Sequence, residues 1–370
     1  MRSCWNTIVV VGGLLCAACA PISKLPALPT ADVEAERRKQ EIDQIRDYFA
    51  ALGRLSNVAF RLRVANRADC KEWAWAQIGL YAGTVPSLPR KFRSFSHEAL
   101  SLSWTQATAL TVAETSPAAL AGIQPGDQLL TFNNEPVPRS DTAGWIGGFV
   151  RHNGVKPIRI MIRRDGTDKV INVTPIVACA IPIELKSDST PNAITDDDGI
   201  LVHTSMLRIA RTDPELALVI GHEMAHANLG HLRKQRTNMI IGWTGGAVID
   251  AAVTLSGIPT NGLFSRQLAR AGARAYSISF EREADYVGAY YAARAGYDLA
   301  GATDVWRTFA LEEPANLRIA TDHPVTPVRF VQLKQVVAEI SYKKEHGLPL
   351  TPELRTTQAD DATPSDEVSH

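Results

Sequence analysis

The order of apolar and polar residues along the chain predicts its secondary structure. Apolar residues three or four positions apart among charged residues predict an amphipathic helix over residues 35–55. Alternation over Val58–Val64 predicts a strand, and the two prolines and several basic side chains of residues 83–94 are typical of a linker. Residues 35–96 are therefore expected to form a helix, a strand and a linker.

From residue 97 to residue 176 the pattern changes to short strands and turns. The stretch Ser116–Phe132 predicts a short helix, a Pro-Gly-Asp turn and a strand. Alternating isoleucines over Ile158–Ile162, followed by an Asp-Gly turn, predict a β-hairpin. We expect residues 97–176 to form a separate, mainly β domain.

Residues 177–342 are predicted to be rich in helices. A strand–turn–strand pattern over residues 192–204 predicts a hairpin. It is followed by a helix whose start is indicated by Asp213 as N-cap and Pro214 at the first helical position. Residues 343–370 are expected to be a disordered acidic tail, because acidic residues outnumber basic ones there among Thr, Pro and Ser.

The N-terminus predicts an export signal over residues 1–19. Arg2 precedes an apolar run that is too short to span a bilayer, and small residues lead up to Cys19. This is similar to a bacterial lipobox with Cys19 as the lipidated residue, and the alternative is a cleaved signal without lipid. Residues 20–34, rich in Pro and Ala, would form a tether.

Length and charge exclude several classes of protein. The chain has 370 residues, which suggests two or three domains, and 39 basic residues balance 39 acidic ones. Zero net charge argues against a general nucleic-acid binder, so no nucleic-acid partner is expected. No uninterrupted run of about eighteen strong hydrophobes occurs, which argues against a polytopic membrane protein.

The cysteines support export to an oxidising compartment. Cleavage before Cys19 would remove two of the five cysteines and lipidation would use a third. The remaining pair, Cys70 and Cys179, is expected to be bridged in such a compartment. The alternative is two unrelated buried thiols.

The candidate chemistry lies in the helix after Pro214, which contains an HExxH motif. His222 and His226 are four positions apart, so both imidazoles point to one side and can reach one metal ion. Glu223 lies beside them, where it can act on a water molecule at the metal. The alternative is two helix histidines whose hydrogen bonds are satisfied without a metal.

A catalytic zinc needs three protein ligands and one open position. His231 has the wrong spacing for a third ligand and would lie about 140° around a continuous helix from His226. We therefore expect it to face solvent or to pack. Glu281 and Asp285, one turn apart on a later helix, can supply a ligand and an acceptor for a ligand histidine. Glu283 points elsewhere, and the alternative for all these carboxylates is a solvated face.

Three ordered motifs carry a family resemblance: GHEMAHANLGH, then FEREADYVG, then TDHPVTPVRF. Together they resemble the CAAX-prenyl-protease and HtpX-like zinc metallopeptidases, metallopeptidase family forty-eight, over about residues 35–75 and 177–340. The resemblance implies His222, His226 and Glu281 as ligands of one zinc per chain, with Glu223 as catalytic base. Because multiple membrane helices are absent from the sequence pattern, the chain is similar to the exported, soluble or lipoprotein branch.

A second resemblance concerns the mainly β region. The run SPAALAGIQPGDQLLTF resembles a bacterial, protease-associated PDZ domain, which implies a groove where a peptide adds a strand. Residues 92–102 occupy the usual place of the carboxylate-binding loop but lack its Gly-hydrophobic-Gly pattern, so a structural spacer is the alternative. The domain would be inserted in the peptidase, and a Cys70–Cys179 bridge would then pin both junctions.

Three further predictions concern the cleft. By resemblance, an edge strand formed by Asn192, Ala193, Ile194 and Thr195 would hold an extended substrate. Met239–Leu263 is apolar and predicts a helical hairpin or lid, with a membrane span as the alternative. His323 precedes a proline, which favours an extended loop. It would donate to the oxyanion or hold the enzyme latent, and the alternative is a loop-capping histidine.

The sequence thus predicts an α+β protein with a helix-rich, gluzincin-like zinc peptidase core, a small edge sheet and an inserted, mainly β PDZ-like domain. The expected function is a zinc-dependent endopeptidase for unfolded or misassembled envelope polypeptides. Its expected location is the periplasm, with a lipid anchor favouring the outer membrane. The alternative is an exported PDZ-containing chaperone or adaptor with little proteolysis.

Overall fold

The computed structural model describes residues 26–70, 72–275, 277–312 and 326–353. Its helices are α1 (Thr30–Ala65), α2 (Ser96–Leu100), α3 (Pro117–Leu120), α4 (Thr142–Asn153), α5 (Thr204–Ile209), α6 (Asp213–Leu229), α7 (His231–Leu255), α8 (Leu263–Ala275), α9 (Ser277–Arg294), α10 (Asp304–Glu312) and α11 (Pro327–Glu345). Its strands are β1 (Ala74–Gln77), β2 (Leu80–Gly83), β3 (Thr108–Val112), β4 (Gln128–Phe132), β5 (Glu135–Pro136), β6 (Ile158–Arg164), β7 (Thr167–Val173), β8 (Ile176–Cys179), β9 (Ile183–Lys186), β10 (Ala193–Thr195) and β11 (Ile200–His203).

Helix α1 is longer than the sequence pattern predicts. It begins at Thr30, inside the expected tether, and continues through Val58–Val64, so the predicted strand is wrong. Leu55, Val58 and Leu62 are buried one turn apart against the core of the peptidase region. This spacing is helical, and the seven-residue alternation was too short to distinguish a strand from a buried helix.

The PDZ-like domain is built on a six-stranded sheet. The strand order is β2-β3-β4-β6-β7, and β5 pairs with β4. Ile146 and Val150 of α4 pack on Ile158 and Ile160 of β6 in the domain's own core. Because β2 forms an edge of this sheet, the domain begins before the expected boundary at residue 97.

The predicted linker is a packed part of the structure. Val85, Leu88 and Phe92 are buried against Ile45 and Phe49 of α1. Their backbone forms two short 3₁₀ turns, Val85–Ser87 and Arg90–Phe92. The prolines that indicated a linker therefore accompany turns that pack on α1, and the prediction of a linker is wrong.

Two antiparallel strands and a disulfide join the PDZ-like domain to the rest of the molecule. Strand β1 pairs with β8, with Ala74 opposite Cys179. Cys179 forms a disulfide with Cys70, which lies four residues before β1. The two chain crossings between domains are therefore held together at one place.

The region expected to form the peptidase, residues 177–345, is mainly helical, with a small sheet at one side. The sheet has the order β10-β11-β9, and β10 is an edge strand. Helix α6 begins in a capping box in which Thr212 is the N-cap and Glu215 closes the turn. The expected N-cap, Asp213, is instead the first helical residue, so that prediction is wrong by one position.

Helices α7 and α8 form a hairpin, as preferred for Met239–Leu263, but it extends from His231 to Ala275, and the predicted range contains only the C-terminal part of α7 and the turn. Their backbones approach closely at Gly242 and Gly246, where an added Cβ would lie 2.2 and 2.4 Å from carbonyl oxygens of α8. Helix α7 is long and apolar enough to cross a membrane by length and composition alone, and little of it is buried.

The C-terminal helix and the residues after it are ordered beyond the expected boundary at residue 343. Helix α11 continues to Glu345. The Nζ atom of Lys343 lies 2.6 Å from a carboxylate oxygen of Glu353, and Arg294 donates to the carbonyl of Leu350 at 2.7 Å. The remaining residues of the predicted tail, 354–370, lie outside the described residues.

Candidate metal centre

Helices α6 and α9 bring the candidate ligands together because small residues let them approach. An added Cβ on Gly221 would lie 2.5 Å from the carbonyl oxygen of Gly288, so neither position has room for a side chain. Gly221 directly precedes His222, and Gly288 lies two turns after Glu281. The close contact therefore places both histidines of α6 opposite the start of α9.

Three donor atoms converge between the two helices. The Nε2 atoms of His222 and His226 are 3.0 Å apart. Oxygens of Glu281 lie 3.4 Å from Nε2 of His222 and 3.2 Å from Nε2 of His226. All three side chains are buried.

This donor set fits zinc in kind and in geometry. Two histidines and one carboxylate are a known catalytic zinc set, and donors at tetrahedral zinc distances lie about 3.3 Å from one another. The separations of 3.0, 3.2 and 3.4 Å agree with that spacing. The three residues can therefore hold one zinc ion and leave its fourth position for a water or substrate.

Asp285 contacts His222, the first candidate ligand. Its carboxylate lies 3.0 Å from Nδ1 of His222, on the side of the ring opposite the donor atom. This is the place where a carboxylate fixes the tautomer and direction of a ligand histidine. Asp285 therefore lies where the sequence analysis expected an acceptor.

Arg329 of α11 was not predicted as a site residue. It is 3% exposed. Its guanidinium donates to both oxygens of Asp285, at 2.8 and 2.9 Å, and lies 2.8 Å from Glu281. The only signal was its place in the TDHPVTPVRF motif, because no local spacing shows that α11 packs on α9.

These charges shift the pKa values of the site in the metal-free protein. Burial disfavours a charged His222, but the carboxylates of Asp285 and Glu281 outweigh it and raise the pKa to about 9. Burial dominates at His226 and lowers its pKa to about 4. For Asp285, burial acts to raise the pKa, but Arg329 outweighs it and holds the pKa below the ordinary value. When no metal is bound, the positive charges of protonated His222 and of Arg329 thus balance the negative charges of the carboxylates of Asp285 and Glu281.

His231 and Glu283 form a hydrogen-bonded chain that ends on His226, the second candidate ligand. Nδ1 of His231 lies 3.0 Å from Nδ1 of His226, and its Nε2 lies 3.0 Å from a carboxylate oxygen of Glu283. The ring stacks on Phe280 with centroids 4.6 Å apart. One arrangement satisfies every atom: His226 donates to His231, and His231 donates to Glu283.

The contact between His231 and His226 was not predicted, because the spacing of the two residues was interpreted on a continuous helix. Gly230 has a φ of 65°, which ends α6 in a left-handed cap, and His231 begins α7 in a new direction. His231 is 3% exposed, so the prediction that it faces solvent is wrong and the packing alternative holds. Glu283 points away from the three donor atoms, as expected, but towards His231.

Thr195 links the edge strand to Glu223. Its hydroxyl lies 2.8 Å from Oε2 of Glu223 and 2.9 Å from the Glu223 carbonyl oxygen. Strand β10, which contains Ala193, Ile194 and Thr195, thus runs beside α6 at the metal site, and Asn192 directly precedes it. A cavity of about 340 Å³ has Thr195 and His226 in its wall.

One candidate residue of the site, His323, lies outside the described residues. Its role as an oxyanion donor or as a plug of the open zinc position stays a prediction.

Comparison with known proteins gives two family matches. Residues 182–337 match the model of peptidase family M48, and residues 108–147 match that of a PDZ domain. Metalloprotease LoiP of Escherichia coli strain K12 is 33% identical over 148 residues, which cover 39% of this chain and 57% of that relative. The chain therefore spans little more than half the length of this relative.

Two solved structures resemble the PDZ-like domain. The HtrA3 PDZ domain bound to a phage-derived ligand is 23% identical, with a TM-score of 0.23. The match covers 28% of this chain and 88% of the HtrA3 chain. The HtrA-type protease AlgW with a decapeptide is 22% identical, with a TM-score of 0.23. The match covers 28% of this chain and 30% of the AlgW chain. With the family matches and the three converging donors, residues 182–337 are identified as an M48 peptidase domain and residues 108–147 as part of a PDZ domain.

Proposed function

We propose that this protein is a zinc-dependent endopeptidase. The observation that carries the proposal is the meeting of His222, His226 and Glu281 at tetrahedral spacing beside Glu223. A relative named as a metalloprotease supports it. A protein that only bound peptides would have no need of a carboxylate held beside such a donor set.

His222, His226 and Glu281 would hold the zinc ion, which when bound would supply a Lewis acid for the scissile carbonyl and the attacking water. Glu223 accepts a proton from that water and passes it to the amine that leaves. Thr195 donates to Oε2 of Glu223 and so fixes the direction of the carboxylate that takes the proton. His231 and Asp285 keep the two histidine rings turned toward the metal position.

The edge strand suits an extended substrate. A polypeptide that pairs with β10 would be held by main-chain hydrogen bonds, which impose little sequence preference. We therefore infer that the substrates are unfolded or misassembled envelope proteins. The PDZ domain offers the edge strand β2, where a second peptide segment can add to the sheet.

The proposed location is the periplasm, with a lipid anchor on Cys19 at the outer membrane. The disulfide between Cys70 and Cys179 supports an oxidising compartment. The residues of the signal lie outside the described part of the chain. Mass spectrometry of membrane-extracted protein should find a lipid on an N-terminal Cys19, and Cys19→Ala should release the protein into the soluble periplasmic fraction.

Glu223→Gln tests the mechanism. All three ligands remain, so we expect full zinc content with casein cleavage lowered by a factor of at least about 10². Glu281→Ala should instead lose zinc, and Glu345→Gln, on the exposed end of α11, should change neither zinc content nor cleavage. Full zinc occupancy in Glu281→Ala would contradict the ligand assignment. A zinc-loaded wild type that prevents aggregation but cleaves nothing would favour the chaperone alternative.

A further inference from the structure

The outward side of helix α7 is mainly apolar and is exposed over most of its length. Ile240, Val248 and Leu255 are 58%, 72% and 90% exposed. We call the α7 face the set of apolar residues that share this side of the helix, namely Ile240, Trp243, Ala247, Val248, Ala251 and Leu255; the polar residues Thr244 and Thr254 lie among them. From Ile240 to Leu255 the face is about 22 Å long at helical rise. Contiguous exposed apolar side chains of this extent mark a binding surface.

The hairpin does not need this face for its own stability. Helices α7 and α8 meet on the other side, where Gly242 and Gly246 allow their backbones to touch. Asp250 accepts hydrogen bonds from the backbone N–H groups of Phe264 and Ser265 at 3.1 and 2.8 Å, which caps the start of α8. The apolar residues of the α7 face are thus available for another contact.

The α7 face begins at a cavity whose wall includes His226. The cavity that has Thr195 and His226 in its wall is also lined by Arg236, Thr237 and Ile240 of α7. Ile240 therefore belongs both to this cavity and to the α7 face. A ligand that leaves the cavity along α7 passes directly onto Val248 and Leu255.

We propose that the α7 face extends the substrate cleft and binds the apolar side chains of an extended polypeptide. This inference rests on the proposed peptidase function and names its substrate class: unfolded chains with several exposed apolar residues beyond the cleaved bond. About six or seven extended residues would cover the 22 Å of the face. Folded proteins, whose apolar residues are buried, would not engage it.

A polypeptide explains the position of the face better than a lipid bilayer or a second copy of the chain. A broad partner that covered the α7 face would also cover Ile240 and close the cavity next to His226. A single extended chain occupies both at once. Among the described side chains of α8, exposed Arg266 and Arg270 alternate with exposed Leu263 and Leu268, so its surface is mixed rather than apolar.

The test measures binding without cleavage. In the Glu223→Gln background, we expect Val248→Ser with Leu255→Ser to weaken the binding of fluorescein-labelled casein about tenfold, as two aliphatic side chains lose their burial against the ligand. Fluorescence anisotropy gives the dissociation constant. The matched control is Val155→Ser with Val170→Ser, two exposed apolar residues of the PDZ domain remote from its β2 edge, which should leave casein binding unchanged.

Unchanged casein binding in Val248→Ser with Leu255→Ser would overturn the proposal. The proposal would also be overturned if this variant kept casein binding but no longer floated with phosphatidylethanolamine–phosphatidylglycerol vesicles. That result would show that the α7 face binds lipid. Loss of a dimer in sedimentation, with casein binding kept, would assign it to a second copy and overturn the proposal too. Cleavage of a hexapeptide by protein with Glu223 intact is measured separately, so failure of the peptidase function is distinguished from failure of the α7 face.

Discussion

At the residue scale, the candidate site consists of the three donor residues and of the side chains that hold two of them in place. His226 is held through His231 and Glu283, and His222 through Asp285 and Arg329. Both chains end on a charged group, but Glu283 is about half exposed whereas Arg329 is buried. Loss of the first chain should therefore affect metal affinity, and loss of the second should also affect stability.

His231→Phe should weaken zinc binding by a factor of about 10 to 100, because His226 loses the acceptor that fixes its ring. Phenylalanine keeps the stacking on Phe280, so the fold should be retained. His231→Gln, which can accept from His226 and donate to Glu283, should restore most of the affinity. Competition with a zinc-chelating dye measures the affinity, and exposed His346→Phe is the control. Equal zinc affinity in His231→Phe and wild type would contradict the proposed role of the hydrogen bonds from His226 through His231 to Glu283.

Arg329→Met should destabilise the metal-free protein by about 3–5 kcal/mol, because Glu281 and Asp285 would remain buried without their counter-charge. Arg329→Lys keeps the charge but loses the paired hydrogen bonds, so its effect should be smaller. Urea unfolding measures both.

The difference in the free energy of unfolding between wild type and Arg329→Met should depend on pH, and the sign of this dependence follows from the pKa of Asp285. The pKa of Asp285 is lower in the folded protein than in the unfolded chain, so its ion pair stabilises at pH values above the ordinary aspartate pKa of about 4. The stabilisation is lost as the pH falls below that value. The gap between wild type and Arg329→Met should therefore narrow in acid. A gap that widens below pH 4 would contradict this assignment.

At the scale of elements, the α7–α8 hairpin depends on one buried carboxylate. Asp250 accepts bonds from two backbone N–H groups and from the Ser265 hydroxyl at the start of α8. Burial acts to raise the pKa of Asp250, but these donors hold it well below the ordinary value. The cap is thus present at neutral pH and is lost only in strong acid.

Asp250→Ala should loosen the start of α8 and speed cleavage by trypsin after Arg266 and Arg270. The mutation leaves two N–H groups of the first turn without an acceptor, which favours unwinding. Timed digestion with mass spectrometry identifies the cut. Asp298→Asn changes another side chain that accepts from a backbone N–H, outside the hairpin, and should leave these two cuts at the wild-type rate. Equal digestion of Asp250→Ala and wild type would show that the hairpin holds without its cap.

At the scale of the whole molecule, the PDZ domain and the peptidase region are joined at a clamped junction. Strands β1 and β8 and the disulfide lie together at the point where the chain leaves and re-enters the peptidase region. Asn57 of α1 also exchanges hydrogen bonds with Glu114 of the PDZ domain. The relative position of the two parts is thus set by contacts from both sides of the junction.

Cys70→Ser with Cys179→Ser should lower the free energy of unfolding by up to about 4–5 kcal/mol in the chain-entropy model. The cysteines are 109 positions apart, so the bridge closes a long loop in the unfolded chain. Denaturant unfolding should give the same midpoint for this variant and for reduced wild type. Identical midpoints in oxidised and reduced wild type would show that the strand pair alone holds the junction.

The features that the sequence alone determined are those encoded within a few turns of chain. The α+β class, the helix that carries His222 and His226, and the hairpin after it follow from periodicity, helix-start residues and glycine placement. Glu281 and Asp285, one turn apart, share a face of α9 for the same reason. Local geometry needs no knowledge of what packs where.

Contacts between distant segments were decided only by the tertiary structure. The burial of α1 overrode the strand pattern of Val58–Val64, and β2 joined a sheet whose other strands begin 25 residues later at Thr108. Arg329 lies 44 positions from Asp285, and Glu283 lies 52 positions from His231. The Gly230 cap turned His231 toward His226. Across such separations, the partner of a side chain depends on how whole helices pack. Apolar burial selects that packing, and the local sequence pattern does not specify it.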